Sequence, residues 1–230
     1  MREIRCVTLD HEEIPVLISD EKEALLAAKA AGGAIVGLWD PEKRGQDLSD
    51  AAYLITDLCD ADEAYLIKVV KRQRGLPWVI GTTDRLLIRE FIMEDLPRLD
   101  LLASEKISRE RFESYLRCQY PFYGFGYYAL LEKETGVLVG TAGFCNAAEE
   151  ADQDTLVFEK VFPDGDGALD MGYHIFPEYR RQGYALEATR FLLRYAEEEE
   201  CVRKVILRIR KENIPSLKLA GKLSFRQVGI

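Results

Sequence analysis

Residues 169–187 (LDMGYHIFPEYRRQGYALE) constrain the fold more than any other stretch of the chain. A strand-like run, Leu169–Ile175, reaches Pro177. A basic turn with one glycine then leads into a helical pattern with no β-branched residue before Thr189. Strand, turn and helix N-terminus in that order make an anion site. The first N–H groups of a helix lack intrahelical partners, and the positive end of the macrodipole lies there. Gly183 lets the backbone approach a phosphate with no Cβ in the way. Ala185 keeps the first turn small, and Arg180 and Arg181 add positive charge. The spacing fits neither G-x-x-x-x-G-K-[ST] nor G-x-G-x-x-G, so the anion is not held by a P-loop or a dinucleotide fingerprint.

The rest of the chain is acidic. Its 230 residues carry a net charge of −9, with 47% hydrophobic and 31% charged residues. That is a globular composition, long enough for one large domain or two small ones. An acidic surface argues against nucleic acid and anionic membrane as partners and suits a cationic acceptor such as an amine. No apolar run approaches the ~18 residues of a membrane span. The N-terminus has no signal-peptide pattern, so a cytoplasmic protein is expected. Cys6, Cys59, Cys118, Cys145 and Cys201 are odd in number and widely spaced, with only His11 and His174 besides. No zinc spacing exists, and the thiols are expected to be reduced and mostly buried.

The first 75 residues alternate short apolar runs with helical patterns. Ile14–Ile18, Ala34–Leu38 and Ala51–Thr56 read as strands; Glu21–Ala31 and Asp62–Arg74 read as helices closed by Gly32 and Gly75. That alternation predicts a small α/β domain over 1–75 with a parallel sheet. Gly75–Trp78 breaks the pattern, which makes 76–82 a linker. From residue 83 to 230 an α+β order follows. It comprises a strand at Arg85–Phe91, helices at Glu94–Ala103 and Ser108–Cys118, and an aromatic segment Tyr120–Tyr128. A hairpin at Tyr127–Glu132 and Val137–Phe144 leads to a polar stretch, Asn146–Asp154. Strand-like runs at Leu156–Val161 and Leu169–Ile175, a helix at Gly183–Glu199, a strand at Val202–Arg210 and a helix at Ile214–Leu223 complete it.

Arg180-x-x-Gly183-x-Ala185 matches the [Q/R]-x-x-G-x-[G/A] pyrophosphate signature at each fixed position, and here the chain resembles the GNAT superfamily of acyltransferases. Thr83–Arg89, Met171–Ile175, Pro177-Glu178-Tyr179 and Glu187-Ala188 are similar to the branch that acetylates N-terminal amines of ribosomal proteins. So are Asn213–Ser216 and Lys222–Arg226. The resemblance implies a mixed, splayed central sheet flanked by helices. It also implies an acetyl-CoA-dependent N-acetyltransferase that moves the acetyl group directly to a primary amine, on a protein N-terminus or a small molecule. By that resemblance the backbone around Arg181, Gln182, Gly183, Tyr184 and Ala185 binds the pyrophosphate of coenzyme A. Main-chain groups near Tyr173 and Ile175 hold the pantetheine arm, and Asn213 holds it from the far side. Asp170 stands where the family often places a basic glutamate. Ser216 lies near the expected thiol, and either it or solvent could protonate the leaving thiolate. The tyrosine that many members use as general acid is replaced by Ala220, which keeps open a non-catalytic acyl-CoA-binding or regulatory module.

Blander roles stand beside these. Asp170 is equally a surface carboxylate on an alternating strand. His174 fits a structural histidine, Glu187 a pocket-rim carboxylate, Tyr120–Tyr128 core packing, Glu197–Glu200 a solvated helix end, and Asn213 an N-cap. In the first domain, Ser19-Asp20, Ala27–Gly32 and Asp47–Ala52 resemble the C-terminal half of the haloacid dehalogenase-like hydrolase core, where a carboxylate near Asp20 helps hold magnesium. The D-x-D nucleophile motif has no counterpart, which implies a degenerate accessory module without hydrolase activity or metal; a generic α/β domain that docks on the transferase fits these residues as well. After Phe225 the superfamily adds strands that finish the sheet. Only Arg226–Ile230 follows here, so an incomplete C-terminal sheet is expected.

Overall fold

Leu9 pairs with Glu12 across Asp10 and His11, which both take positive φ (51° and 69°), and the chain turns back on itself at once. This is a two-residue hairpin turn whose backbone twist suits the strands it joins. The computed structural model describes residues 1–101, 106–148, 153–200 and 202–228. They divide into two units, Met1–Trp78 with Ser114–Phe122, and Val79–Glu113 with Tyr123–Ile230.

The first unit holds β1 (Arg2–Leu9), β2 (Glu12–Ser19), α1 (Lys22–Ala30), β3 (Ala34–Leu38), β4 (Leu54–Ile55) and α2 (Glu63–Gln73). Its sheet runs β1-β2-β3-β4; β1 and β2 are antiparallel, and the other two pairs are parallel. The sheet is therefore mixed, not the parallel one expected from the alternation of strands and helices. The error lay in the turn: Asp and His tolerate the left-handed region without being the usual Asn-Gly signal. Val16, Ile18, Val36, Leu66 and Val69 form its buried core. The Asp62 side chain accepts from the Tyr65 N–H at 2.7 Å to cap α2, and Gly75 at φ 70° ends the chain's helical course. The Asp20 carboxylate is bound by the Met1 ammonium and by Lys43, whose hydrogen bonds hold its pKa down at about 2. Among the described residues no group of three or more His, Cys, Asp or Glu side chains could hold a metal.

The second unit contains β5 (Val79–Thr82), β6 (Leu86–Glu90), α3 (Leu96–Leu99), α4 (Arg109–Tyr123), β7 (Tyr127–Glu132), β8 (Leu138–Asn146), β9 (Thr155–Val161), β10 (Asp166–Ile175), α5 (Tyr184–Glu198), β11 (Val202–Arg210), α6 (Ile214–Lys222) and β12 (Arg226–Val228). The middle of α4 groups with the first unit. Eight strands lie in the order β12-β9-β11-β10-β8-β7-β6-β5. Only β10 and β11 are parallel, joined through α5, as a parallel pair requires a crossover. The stretch expected as a linker, 76–82, carries β5. It hid because it is four residues long, has an irregular register, and contains Gly81, where a Cβ would collide with the Phe191 ring of α5. α4 also runs through Pro121 to Tyr123, past the helix end expected at Cys118. The helix expected over Glu94–Ala103 is a 3₁₀ turn followed by the short α3, and Ala103 lies outside the described residues. So do 149–152 of the polar stretch and Ile230.

Tyr120 and Tyr128 are buried, whereas Phe122 and Tyr123 are exposed, so the aromatic segment is core only at its two ends. Cys6, Cys59, Cys118 and Cys145 are free and exposed, contrary to the buried thiols expected; Cys201 lies outside the described residues. Among the described residues no helix is long and apolar enough to cross a membrane. Buried in this unit is a bidentate ion pair, Arg89 to Asp95 at 2.7 and 2.9 Å, with the Ile92 N–H also on Asp95 at 2.9 Å.

Candidate functional site

Parallel pairing of β10 with β11 stops after Asp170 and Ile206, although β10 runs on to Ile175 and β11 to Arg210. On its other side β10 stays paired with β8 through Ile175, and β11 stays paired with β9 through Arg210. The two strands therefore part company in mid-sheet. Alternate residues of a strand bond to opposite neighbours. The Phe176 N–H donates to Val139 of β8, so Tyr173 and Ile175 turn their peptide groups to the open edge. Arg180 Nε donates to the Ile175 carbonyl at 2.9 Å and occupies it. The Arg180 side chain thus braces the strand it follows. Its Nη2 lies 3.2 Å from His174 Nε2, and burial followed by that cation lowers the His174 pKa. Both influences favour the neutral imidazole.

At the far end of the turn, Arg181 (φ 63°) and Gly183 (φ 90°) reverse the chain, and Gly183 serves as N-cap of α5. The first bond into the helix runs from the Glu187 N–H to the Gly183 carbonyl, which leaves the N–H groups of Tyr184, Ala185 and Leu186 open. Three outward N–H groups at a dipole's positive end can bind a phosphate group. α5 is anchored beneath them by Tyr184, Ala188, Leu192, Leu193 and Ala196, buried at helical spacing.

A clamp that sequence reasoning missed fixes this turn from the side. Glu187 accepts from the Thr83 hydroxyl and from the Arg85 N–H, and pairs with the Arg85 guanidinium at 2.6 Å. Arg85 Nη1 donates to the Gln182 carbonyl at 2.9 Å, and its guanidinium lies 4.5 Å from the centre of the Tyr184 ring. The Tyr184 hydroxyl donates in turn to Glu132. Thr83 and Arg85 lie between β5 and β6, some hundred positions before Glu187, and no local pattern links such distant partners. Burial works against the charge of Glu187, but its bonds to Thr83 and Arg85 outweigh that and lower its pKa from 4.5. A depressed carboxylate stabilises the fold above its unfolded pKa and loses that contribution as pH falls through the folded value. The melting-temperature difference between wild type and Glu187→Gln should be constant above about pH 5 and shrink below it. A difference unchanged down to pH 3 would disprove the clamp.

Asp170, on the last paired rung, is 8% exposed. Its Oδ2 accepts from the Ala148 N–H and from Arg208 Nε, both at 2.9 Å, while Oδ1 is buried with no partner. Half of this carboxylate is tied and half is available. Just after β11, Asn213 caps α6, its Oδ1 accepting from the Ser216 N–H at 3.3 Å. Ser216 stands in the first turn of α6, and the Tyr173 hydroxyl on β10 is buried without a hydrogen-bond partner. Ala220 is fully buried. The geometry thus brings Asp170, Tyr173 and Ile175 to the parting of β10 and β11, with Asn213 and Ser216 at the start of α6 just after β11, and Arg181–Ala185 in the turn that follows β10.

Comparison with known proteins agrees with this architecture. The acetyltransferase (GNAT) domain model matches residues 85–226, more than half of the chain. The uncharacterized N-acetyltransferase YnaD of Bacillus subtilis is 34% identical over 74 residues, 32% of this chain and 42% of YnaD. YjdG of the same species, also an uncharacterized N-acetyltransferase, is 28% identical over 102 residues, covering 44% of this chain and 52% of its own. The chain spans about half the length of the curated relatives it matches. A solved structure from Bordetella pertussis, described as a GnaT-family acetyltransferase, superposes with a TM-score of 0.50 at 21% identity, over 65% of this chain and 89% of that one. That likeness speaks for the fold. With strand order, parted strands, helix N-terminus and family match in agreement, the chain belongs to the GNAT acetyltransferase family.

Proposed function

We propose that the protein is an N-acetyltransferase that moves an acetyl group from acetyl-CoA to a primary amine, on a peptide or a small molecule. The observation that carries this reading is the joining of two features in one strand–turn–helix. The parted β10 and β11 offer a slot with unpaired peptide groups, and the open N–H groups of α5 stand at its mouth. A pantetheine arm ending in a pyrophosphate matches both. In this reading Tyr184, Ala185 and Leu186 bind the pyrophosphate through their N–H groups, and Tyr173 and Asn213 flank the arm.

The acceptor must lose a proton to attack a thioester. Asp170 Oδ1, a buried acceptor without a partner, takes that proton through a water, with Arg208 and Ala148 orienting the carboxylate. Asp170→Asn should lower kcat by roughly 10²-fold while coenzyme A affinity stays within a factor of a few; titration calorimetry beside steady-state rates reads both. Full activity of that variant would remove Asp170 from the chemistry.

A non-catalytic acyl-CoA-binding module is the second reading. Ala220, buried where a tyrosine donor would stand, and the Arg208 bond on Asp170 favour it. Acetyl-CoA with a panel of peptide and small amines, read by release of free thiol, separates the two. Turnover above the amine-free rate with any acceptor supports the enzyme; tight binding without turnover supports the module. We assign residues 1–75 as an accessory α/β module, in keeping with the resemblance to half of a haloacid dehalogenase-like core.

A further inference from the structure

β1 is the outermost strand of the first unit's sheet and pairs with β2 at every residue from Arg2 to Leu9 without a shift in register. Just before it, the Asp20 N–H donates to the Met1 carbonyl at 3.3 Å, so the odd-numbered residues bond inward to β2. Alternate residues of an antiparallel strand bond to opposite sides. The N–H and C=O groups of Arg2, Ile4, Cys6 and Thr8 therefore face the open edge. All four residues are exposed, Ile4 at 67%. Among the described residues, none of these groups is bonded to another strand or loop. Such an edge is a template for a further chain, and soluble proteins blunt it with lysine, proline or a bulge. β1 (REIRCVTL) has none of the three.

The strand is also complementary to itself. Bonding through the even-numbered residues pairs only residues of like parity, so a two-fold axis passes through the same residue of each copy. An axis at Arg2, Glu3 or Arg5 sets like charges opposite each other, which destabilises a pair of strands. One at Cys6 or Val7 sets Arg5 opposite Val7 or Leu9, and one nearer the turn leaves few rungs. An axis at Ile4 instead sets Ile4 on Ile4, Arg2 opposite Cys6, and Glu3 opposite Arg5 twice. Within one chain Arg5 Nε already donates to Glu3 at 2.6 Å, so the four charges form a cluster of alternating sign. On the other face the two exposed Ile4 side chains pack together.

We propose that β1 pairs antiparallel with β1 of a second copy of this chain, about a two-fold axis at Ile4, joining the two sheets into one. This pairing is independent of the acetyl-transfer reading. Sedimentation equilibrium of the full chain over a concentration series tests it. The wild type should reach twice the mass of one chain and dissociate on dilution. Ile4→Pro removes an outward donor and spares every bond to β2, as proline is tolerated where an edge N–H faces solvent. It should raise the dissociation constant at least ~10-fold, with an unchanged circular dichroism spectrum. Arg5→Glu should do the same by setting like charges opposite each other, and adding Glu3→Arg should restore the dimer. The charge reversal and its rescue decide the matter alone if Ile4→Pro does not fold. A wild type that stays at the mass of one chain overturns the proposal, and so does a dimer that survives Ile4→Pro. A charge swap that fails to rescue Arg5→Glu overturns the axis at Ile4.

Discussion

Replacing Gly183 with valine should reduce coenzyme A binding at least 100-fold while the protein stays folded. Gly183 sits at φ 90°, where a β-branched residue is strained, and a Cβ there would stand 3.3 Å from Arg85 Nη2. The substitution therefore disturbs two things at once. It moves the N-cap that aims the N–H groups of Tyr184, Ala185 and Leu186, and it pushes on the Arg85 clamp holding the turn. Tilting three donors away from a phosphate forfeits about 1.5–3 kcal/mol for each charged hydrogen bond lost. Two such losses already exceed a hundredfold, since 1.4 kcal/mol is tenfold. The buried stripe of α5 is untouched, so circular dichroism should be unchanged and the melting temperature only a few degrees lower. Titration calorimetry gives the answer; wild-type affinity in the variant would show that the turn is not the anion site.

The largest effect on stability should come from Asp95→Ala. Asp95 and Arg89 are both nearly enclosed and bonded in a fork, and Asp95 also receives the Ile92 N–H. Removing the aspartate leaves an uncompensated guanidinium in a poorly solvated place, which costs about 3–5 kcal/mol. Typical domains hold only about 5–15 kcal/mol in total, so this one change consumes a large part of it. The contrast is Arg109–Glu113, an exposed pair one helical turn apart. Its disruption should cost no more than ~0.5 kcal/mol. Urea denaturation of both variants measures the difference directly. Similar midpoints would mean that water reaches Arg89.

Legibility in the sequence followed the range of the interactions. The hairpin of β7 and β8, the strand–turn–helix around Gly183 and the N-caps at Asp62 and Asn213 are set by neighbours, and local pattern reveals them. The opening hairpin was hidden because Asp10 and His11 take left-handed conformations without a glycine to announce them. β5 was hidden by its length and by Gly81, whose reason for being a glycine is Phe191, over a hundred residues away. The same holds in the site. Motif spacing pointed to Gly183, Asp170, Asn213 and Ser216, but not to Arg208 on Asp170, or to Thr83 and Arg85 on Glu187. These partners come together only once β6, β10, β11 and α5 are assembled. A charge in need of burial or pairing is visible in a sequence, but its counter-ion is not.

The most direct measurement is a crystal structure of the protein with coenzyme A. The account predicts the pyrophosphate within hydrogen-bond distance of the Tyr184, Ala185 and Leu186 N–H groups, with the pantetheine arm between β10 and β11 beyond Asp170 and Ile206. Coenzyme A bound elsewhere, or β10 and β11 closed along their whole length, would contradict it.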